Sequence, residues 1–288
     1  MTGGKAMNKK PNFMIIGGDC RFSYMQKILN DKGFEAKRIY PGEYRADDFD
    51  KADIFILPVP VSRDNVNINT PLAGETFYFG DFIRLLPDGC TVAGGLFREE
   101  HVRQLESKGI KVLDYYKDEE LAKKNAVPTA EGVIGILINT LPVTVDSLRC
   151  AVTGYGKCGS VLCLKLKALG ADVTAVARSE ENLRDAEKDG MKICPLSDFG
   201  NSAESFDVII NTVPARIIDE NILSRLNKDC TVIEIASAPF GIDFDCAARC
   251  SVATVKAGSL PGKNSPQTAG TIICDTVLKL FGSEKNGD

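Results

Sequence analysis

Short apolar runs recur along this chain at near-regular intervals, with polar, helix-like stretches between them. Phe13–Ile16, Ile54–Leu57, Thr91–Ala93 and Lys111–Leu113 have the length and character of strands buried in a parallel sheet, and Ser23–Asp31 and Glu99–Lys108 read as helices between such strands. These segments predict a first α/β unit. A second starts near Leu148 and continues through Val173–Ala177, Val208–Asn211, Val232–Ile235 and Val252–Ala257. Alternating strands and helices in both halves predict an α/β protein with two doubly wound parallel-sheet domains. Pro128–Leu141, mostly apolar though interrupted by glycine, reads as a long helix crossing from one domain to the other. The last helix, from Pro266 to about Phe281, is expected to return to the first domain. The cleft between the domains is then the expected site.

One turn in this pattern carries specific chemistry. Cys150–Thr153 runs as a buried strand into Gly154-Tyr155-Gly156-Lys157-Cys158-Gly159, which is G-x-G-x-x-G. Gly154 permits the tight turn, Gly156 lets the backbone approach a pyrophosphate, and Gly159 lets the following helix pack close to its strand. Leu162, Leu166 and Leu169 follow at helical spacing, Gly170 stops the helix, and Val173–Ala177 supplies the next strand. That context makes the second domain a Rossmann dinucleotide-binding domain. An NAD site presents an acid at the tip of this strand to bind the ribose hydroxyls. This chain has Ala177-Arg178-Ser179 instead, a planar fork of donors and a hydroxyl suited to a phosphate, so the expected cofactor is NADP. The competing reading gives the ribose to Glu180 or Glu181 and leaves Arg178 in solvent. Thr212-Val213-Pro214 and Ala236-Ser237-Ala238-Pro239-Phe240-Gly241 follow two further strands at their carboxyl ends, where open α/β sheets bind ligands. Both loops are expected to flank the nicotinamide ribose; the plainer alternative is that Pro214 and Pro239 only terminate strands.

Composition narrows the class. The 288 residues exceed one typical domain, and a hydrophobic fraction of 44% suffices for ordinary cores. A net charge of -4 with scattered lysines leaves no basic stripe, which disfavours nucleic acid and anionic membranes as partners. No apolar run approaches a membrane span, and Met1–Lys10 shows no signal peptide, so the expected location is cytoplasmic. The ten cysteines are dispersed, and the pairs Cys158/Cys163 and Cys246/Cys250 lack C-x-x-C spacing and a nearby histidine. They read as small buried hydrophobes, with no metal expected. His101, the only histidine, reads as a surface residue at a helix start.

In the first half, Gly17-Gly18-Asp19-x-Arg21 follows the opening strand, with Asp19 placed to cap the next helix. Taken with Leu57-Pro58-Val59, Pro128-Thr129-x-Glu131-Gly132, the glycine turn, Ala177-Arg178-Ser179, Asn211-Thr212-x-Pro214, Ala236-Ser237-x-Pro239-x-Gly241-x-Asp243-Phe244 and Leu260-Pro261-Gly262 followed by Pro266-x-Thr268-Ala269-Gly270, it resembles the A subunit of dipicolinate synthase over nearly the whole chain. Ser259 stands where that family usually has proline and Gln267 where it usually has lysine, and the loop Pro60–Thr70 has no match in it.

The resemblance implies an enzyme of spore formation, in the cytoplasm of the mother cell. Its reaction is NADP-dependent oxidation of a dihydropyridine dicarboxylate, or its hydroxylated precursor, to pyridine-2,6-dicarboxylate. The partner it implies is a flavoprotein-like B subunit, and a homo-oligomer is compatible with it. The implied domains are 1–127 with 266–288, a flavodoxin-like substrate and catalytic domain; 128–147, the connecting helix; and 148–265, the NADP-binding domain. Such chemistry needs hydride departure to the nicotinamide, loss of a ring proton to a base, and donors for two carboxylates. Glu131, with Thr129 beside it in an expected first helical turn, is a candidate base or orienting group, although the helix dipole alone favours an acid there. Asp19 is a further catalytic candidate. Arg21 and Lys263, on expected loops, are candidates for the substrate carboxylates. So are the N–H groups of Thr268, Ala269 and Gly270 after the N-cap-like Ser265-Pro266, where a plain helix start competes. Two other functions fit the same plan: an NADP-dependent dehydrogenase of the shikimate or folate type, and a nucleotide-binding subunit whose partner does the chemistry.

Overall fold

The computed structural model describes residues 10–285, so the reading of the amino-terminal segment falls almost wholly outside the described residues, as do the last three residues of the expected first domain. Two compact units emerge, one from the described parts of residues 1–122 and 265–288 and one from residues 123–264.

The first unit contains β1 (Asn12–Ile16), α1 (Cys20–Asp31), β2 (Glu35–Ile39), α2 (Ala46–Phe49), β3 (Ile54–Ile56), β4 (Asn67–Ile68), β5 (Phe77–Tyr78), α3 (Phe79–Leu85), β6 (Thr91–Gly94), α4 (Glu99–Ser107) and β7 (Lys111–Asp114). Its sheet has the order β2-β1-β3-β6-β7, and every pairing in it is parallel. That is the flavodoxin-type winding, with its switch point between β1 and β3. Side chains alternate across the sheet as strand geometry requires. Phe13, Ile15, Ile54 and Ile56 enter one core and Met14, Ile16, Phe55 and Leu57 the other.

α5 (Glu119–Thr140) leaves this unit and enters the second. It starts well before the predicted Pro128, which sits inside it. The overlooked start signal is Asp118, whose Oδ1 accepts the Leu121 N–H at 2.8 Å, followed by Glu119 and Glu120 in the first turn.

The second unit continues with β8 (Arg149–Thr153), α6 (Lys157–Ala168), β9 (Asp172–Ala177), α7 (Glu180–Lys188), β10 (Lys192–Pro195), α8 (Phe199–Ser202), β11 (Val208–Asn211), α9 (Glu220–Leu223), β12 (Thr231–Glu234), α10 (Phe244–Arg249), β13 (Ala253–Lys256) and α11 (Leu260–Asn264). Six parallel strands take the order β10-β9-β8-β11-β12-β13, which is Rossmann topology, with the strand order reversing between β8 and β11. Cys150, Val152, Val208 and Ile210 face one core, and Ala151, Ile209 and Val232 the other.

α12 (Pro266–Lys285) belongs to the first unit, as its sequence pattern predicts. Ile273, Cys274 and Val277 share a buried cluster with Phe22, Met25 and Leu29 of α1. Among the described residues, no helix is long and apolar enough to cross a membrane. The cysteines are free, and seven of them are buried. His101 departs from its expected surface place: it is 2% exposed, its ring centroid lies 4.3 Å from that of Phe79, and Nε2 is 3.3 Å from the Asn65 carbonyl oxygen.

Candidate functional site

At the switch point of the second sheet, β8 ends in the glycine turn. Gly154 takes φ +88°, a backbone that side-chain-bearing residues rarely adopt, and its N–H donates to the Val176 carbonyl at 2.7 Å. A Cβ there would lie 2.6 Å from Thr212 Oγ1 and 2.8 Å from Val213 Cγ2, so the turn is packed against the loop that follows β11. A Cβ on Gly159 would collide with the Gly154 carbonyl oxygen. This is the close helix-to-strand approach that the third glycine of the fingerprint permits. At Gly156 the same position meets nothing within 4 Å. The helix N-terminus therefore has one face closed by protein and one open, which is the shape a pyrophosphate needs. Thr212 Oγ1 donates to the Thr153 carbonyl at 2.8 Å, fixing that loop to β8.

Beside the turn lies a pocket of 240 Å³, lined among others by Gly154, Arg178, Ser179, Asn182 and Val213. Arg178 is exposed, and Ser179 caps α7, its Oγ accepting the Asn182 N–H at 3.5 Å. No carboxylate is among the lining residues; Glu180 pairs instead with Arg184 on the outer face of α7. Of the other predicted cofactor residues, Tyr155 can offer only its backbone. Its side chain is buried and its hydroxyl donates to Asp189 at 2.7 Å, so only its backbone faces the turn. Burial, reinforced by Asp189, pushes this phenol above its ordinary range. Lys157 and Cys158 occupy the first turn of α6, and burial holds the Cys158 thiol up at about 11, so it stays protonated at neutral pH. Pro214 and Ser237 are exposed in their loops. The Ala236 N–H is taken up by Glu234 Oε1 at 2.8 Å, so it is not free for a ribose.

In the first unit, the Gly17–Asp19 loop closes β1. Asp19 caps α1, its Oδ1 accepting the Arg21 N–H at 3.1 Å, and it holds the Arg21 guanidinium through Nε at 2.8 Å and Nη2 at 2.7 Å. Arg21 is not on a loop as expected. It lies in the first turn of α1, 8% exposed, and Nη2 also donates to the Val59 carbonyl at 3.2 Å. Arg38 donates to the carbonyls of Gly17 (2.8 Å), Gly18 (2.8 Å) and Asp19 (3.1 Å), which fixes the loop from behind. Burial alone raises the Asp19 carboxyl, but the hydrogen bonds and charge of Arg21 outweigh it and the net shift is downward.

The other predicted residues lie on helices. Glu131 is not in a first helical turn; it lies deep in α5, its side chain 52% exposed, paired with Lys165 of α6 at 3.0 Å. Thr129 spends its hydroxyl on the Asn125 carbonyl at 2.8 Å, the helix back-bond open to any threonine. Lys263 belongs to α11 and is exposed. Thr268 is exposed in the first turn of α12, with Ala269 and Gly270 buried after it. The Ala269 N–H is already bonded to the Ser265 carbonyl at 3.0 Å, and a Cβ on Gly270 would strike the Arg21 carbonyl oxygen, so Gly270 lets α12 pack close against α1. The residues missed from sequence are Asn211 and Glu234, both fully or almost fully buried at strand ends.

Fold and site together define a two-domain α/β protein with a Rossmann NAD(P)-binding domain, the plan of the nicotinamide-dependent dehydrogenases, and its coenzyme is a nicotinamide dinucleotide. Residues 144–258 match the family described as acetohydroxy acid isomeroreductase, NADPH-binding domain, and residues 12–116 match the N-terminal domain of the dipicolinate synthase A subunit. The A subunit of dipicolinate synthase from Bacillus subtilis (strain 168) is 28% identical over 237 residues, 81% of this chain and 79% of that protein. The crystal structure of the dipicolinate synthase A subunit from Bacillus halodurans superposes with a TM-score of 0.84 at 26% identity, covering 94% of this chain and 97% of the other. D-lactate dehydrogenase from Escherichia coli shares the fold, with a TM-score of 0.68 at 14% identity over 96% of this chain and 98% of its own. The chain is a homologue of the dipicolinate synthase A subunit.

Proposed function

We propose that this chain oxidises dihydrodipicolinate, or its hydroxylated precursor, to dipicolinate with NADP, as the A subunit of a dipicolinate synthase acting with a B subunit in the mother-cell cytoplasm during spore formation. The observation that carries the reading is the presence in one chain of the dipicolinate synthase match at residues 12–116 and an open glycine turn beside an acid-free pocket bearing Arg178.

Gly154, Gly156 and Gly159 with the α6 N-terminus would hold the pyrophosphate, and Arg178 with Ser179 the 2′-phosphate. A bound nicotinamide supplies a hydride acceptor at its C4. The donors of Arg21 Nη1 are not used by Asp19 or Val59 and suit a substrate carboxylate, while Asp19 and Arg38 fix where that guanidinium stands. Asp19 is held ionised by Arg21 and makes a poor proton acceptor, so its part here is to orient Arg21. Glu131, half exposed on α5, is assigned the ring proton, and its ion pair with Lys165 has to open for the carboxylate to accept it. Aromatisation of the product ring provides the driving force.

The test is an assay of the purified chain with dihydrodipicolinate and NADP, with and without the B subunit. Formation of dipicolinate and NADPH in equal amounts by the chain alone supports the reading. NADPH binding with turnover only when the B subunit is present moves the chemistry to the partner. Turnover of shikimate-like or folate-like substrates instead overturns the substrate assignment. Within the same assay, Glu131→Gln is expected to lower turnover at unchanged coenzyme affinity; full activity returns Glu131 to a surface ion pair.

A further inference from the structure

We infer that Glu234 is a positioning residue of the coenzyme site. Its buried carboxylate holds the 236–241 loop, and through Asn211 the loop after β11, in the shape that receives the nicotinamide end of the dinucleotide. The inference rests on reading the glycine turn as a dinucleotide site.

Glu234 closes β12 after an apolar strand and is 1% exposed. A carboxylate removed from water is tolerated only where hydrogen-bond donors replace the water it lost. Five N–H contacts do so. Asn211 Nδ2 reaches Oε1 at 2.7 Å and Oε2 at 2.9 Å, the Ala236 N–H reaches Oε1 at 2.8 Å, and the N–H groups of Gly241 and Ile242 reach Oε2 at 2.8 and 3.2 Å. Three of the five come from the backbone of the segment that follows the strand, not from a neighbouring strand. The loop between them is exposed at Ser237, Ala238 and Pro239, so apolar burial does not set its path there. Hydrogen bonds do, including Phe240 N–H to the Ser237 carbonyl at 3.1 Å and the Ile217 and Ile218 N–H groups to the Gly241 carbonyl at 3.0 and 2.9 Å.

The network also reaches the glycine turn. Asn211 Oδ1 accepts from Thr153 Oγ1 at 2.6 Å and from the Val213 N–H at 3.2 Å, and Nδ2 donates to the Val213 carbonyl at 2.9 Å. Val213 and Thr212 are the residues packed against Gly154. One carboxylate thus fixes both loops at the carboxyl ends of β11 and β12 before any ligand arrives. Every group facing Glu234 is a donor, so both of its oxygens must accept. A glutamine in its place keeps the volume and turns an NH₂ toward N–H groups.

The experiment compares wild type, Glu234→Gln, Asn211→Asp and the double variant by NADPH titration and thermal melting. The double variant restores one amide–carboxylate contact between the two strand ends but leaves an NH₂ facing the loop N–H groups. The expected result is a loss of NADPH affinity of about tenfold or more in Glu234→Gln. The double variant should regain the melting temperature lost by the single variants without regaining the affinity. Wild-type affinity in Glu234→Gln, or recovery of both quantities in the double variant, reduces Glu234 to strand glue and overturns the inference. Should the single variants fail to fold, hydrogen exchange on the wild type decides. Backbone N–H groups of Ala236, Phe240, Gly241 and Ile242 protected before NADPH is added support the inference, and protection that appears only with NADPH overturns it. A wild type that takes up no NADPH removes the dinucleotide reading itself, and this inference with it.

Discussion

For each charged residue, the role it can take depends on whether its charge is already spent inside the protein. Arg178 is exposed beside the glycine turn and lines an acid-free pocket, so Arg178→Asp is expected to weaken NADPH binding by more than about tenfold while leaving NADH equal or improved. Unchanged NADPH affinity, measured by fluorescence titration, removes Arg178 from the site. Asp19 is spent on Arg21, and its folded pKa lies below the ordinary value of 3.8. A lowered carboxylate contributes stability that is present above its unfolded pKa and lost as pH falls through the folded one. The Asp19 carboxyl signal, followed by NMR, should therefore titrate with its midpoint below the ordinary 3.8, and a midpoint above that breaks the pairing described. The glycine fingerprint was legible in the sequence because the steric job of each glycine is set by its immediate neighbours in the turn. Glu234 was not, because an acid at the end of an apolar strand looks like any strand terminus until the loop N–H groups that surround it are seen. The inward turn of the Tyr155 ring was not legible either, since its place inside the fingerprint said nothing of its tertiary partner, Asp189.

At the scale of elements, the buried strands were readable and two edge strands were not. β2 and β10 lie at sheet edges, and their exposed positions interrupt the apolar run that marks a strand covered on both faces. Pro195 can occur in β10 because an edge strand can spare its missing N–H. The start of α5 was misplaced because Pro128 looked like a first-turn proline, yet Asp118 caps the helix well upstream. That error carried Glu131 and Thr129 to a helix start they do not occupy. The contact of α12 with α1 gives a prediction of its own. Gly270→Ala sets a Cβ against the Arg21 carbonyl oxygen, both groups being backbone-fixed, and should cost about 1–3 kcal/mol of stability. NADPH affinity should not change, since Gly270 and the glycine turn belong to different units. Melting with and without coenzyme checks both statements; an unaltered melting temperature shows that the helices can move apart freely.

For the molecule as a whole, the return of the chain to its first unit is the organising fact. The cores on both faces of the second sheet are built entirely within residues 123–264, whereas the first unit draws Ile273, Cys274 and Val277 from the far end of the sequence. Residues 123–264 expressed alone are therefore expected to fold and to bind NADPH within a small factor of the full chain. Residues 1–122 alone should fail to melt cooperatively, because α1 loses the helix that covers it. A cooperative transition in the isolated amino-terminal piece contradicts this division of labour. The alternation of strands and helices made the two-unit plan readable from the sequence, and the apolar spacing after Pro266 marked the final helix. The order of strands was not in the pattern; it follows from parallel crossovers that only the three-dimensional structure displays.

In the proposed function, the turn Gly154–Gly159 binds a nicotinamide dinucleotide carrying the 2′-phosphate. Calorimetric titration of the full chain with NADPH and, separately, with NADH tests it most directly. Saturable binding of one NADPH per chain, tighter than NADH by more than about tenfold, is the predicted result. No uptake of either nucleotide, or a preference for NADH, contradicts it.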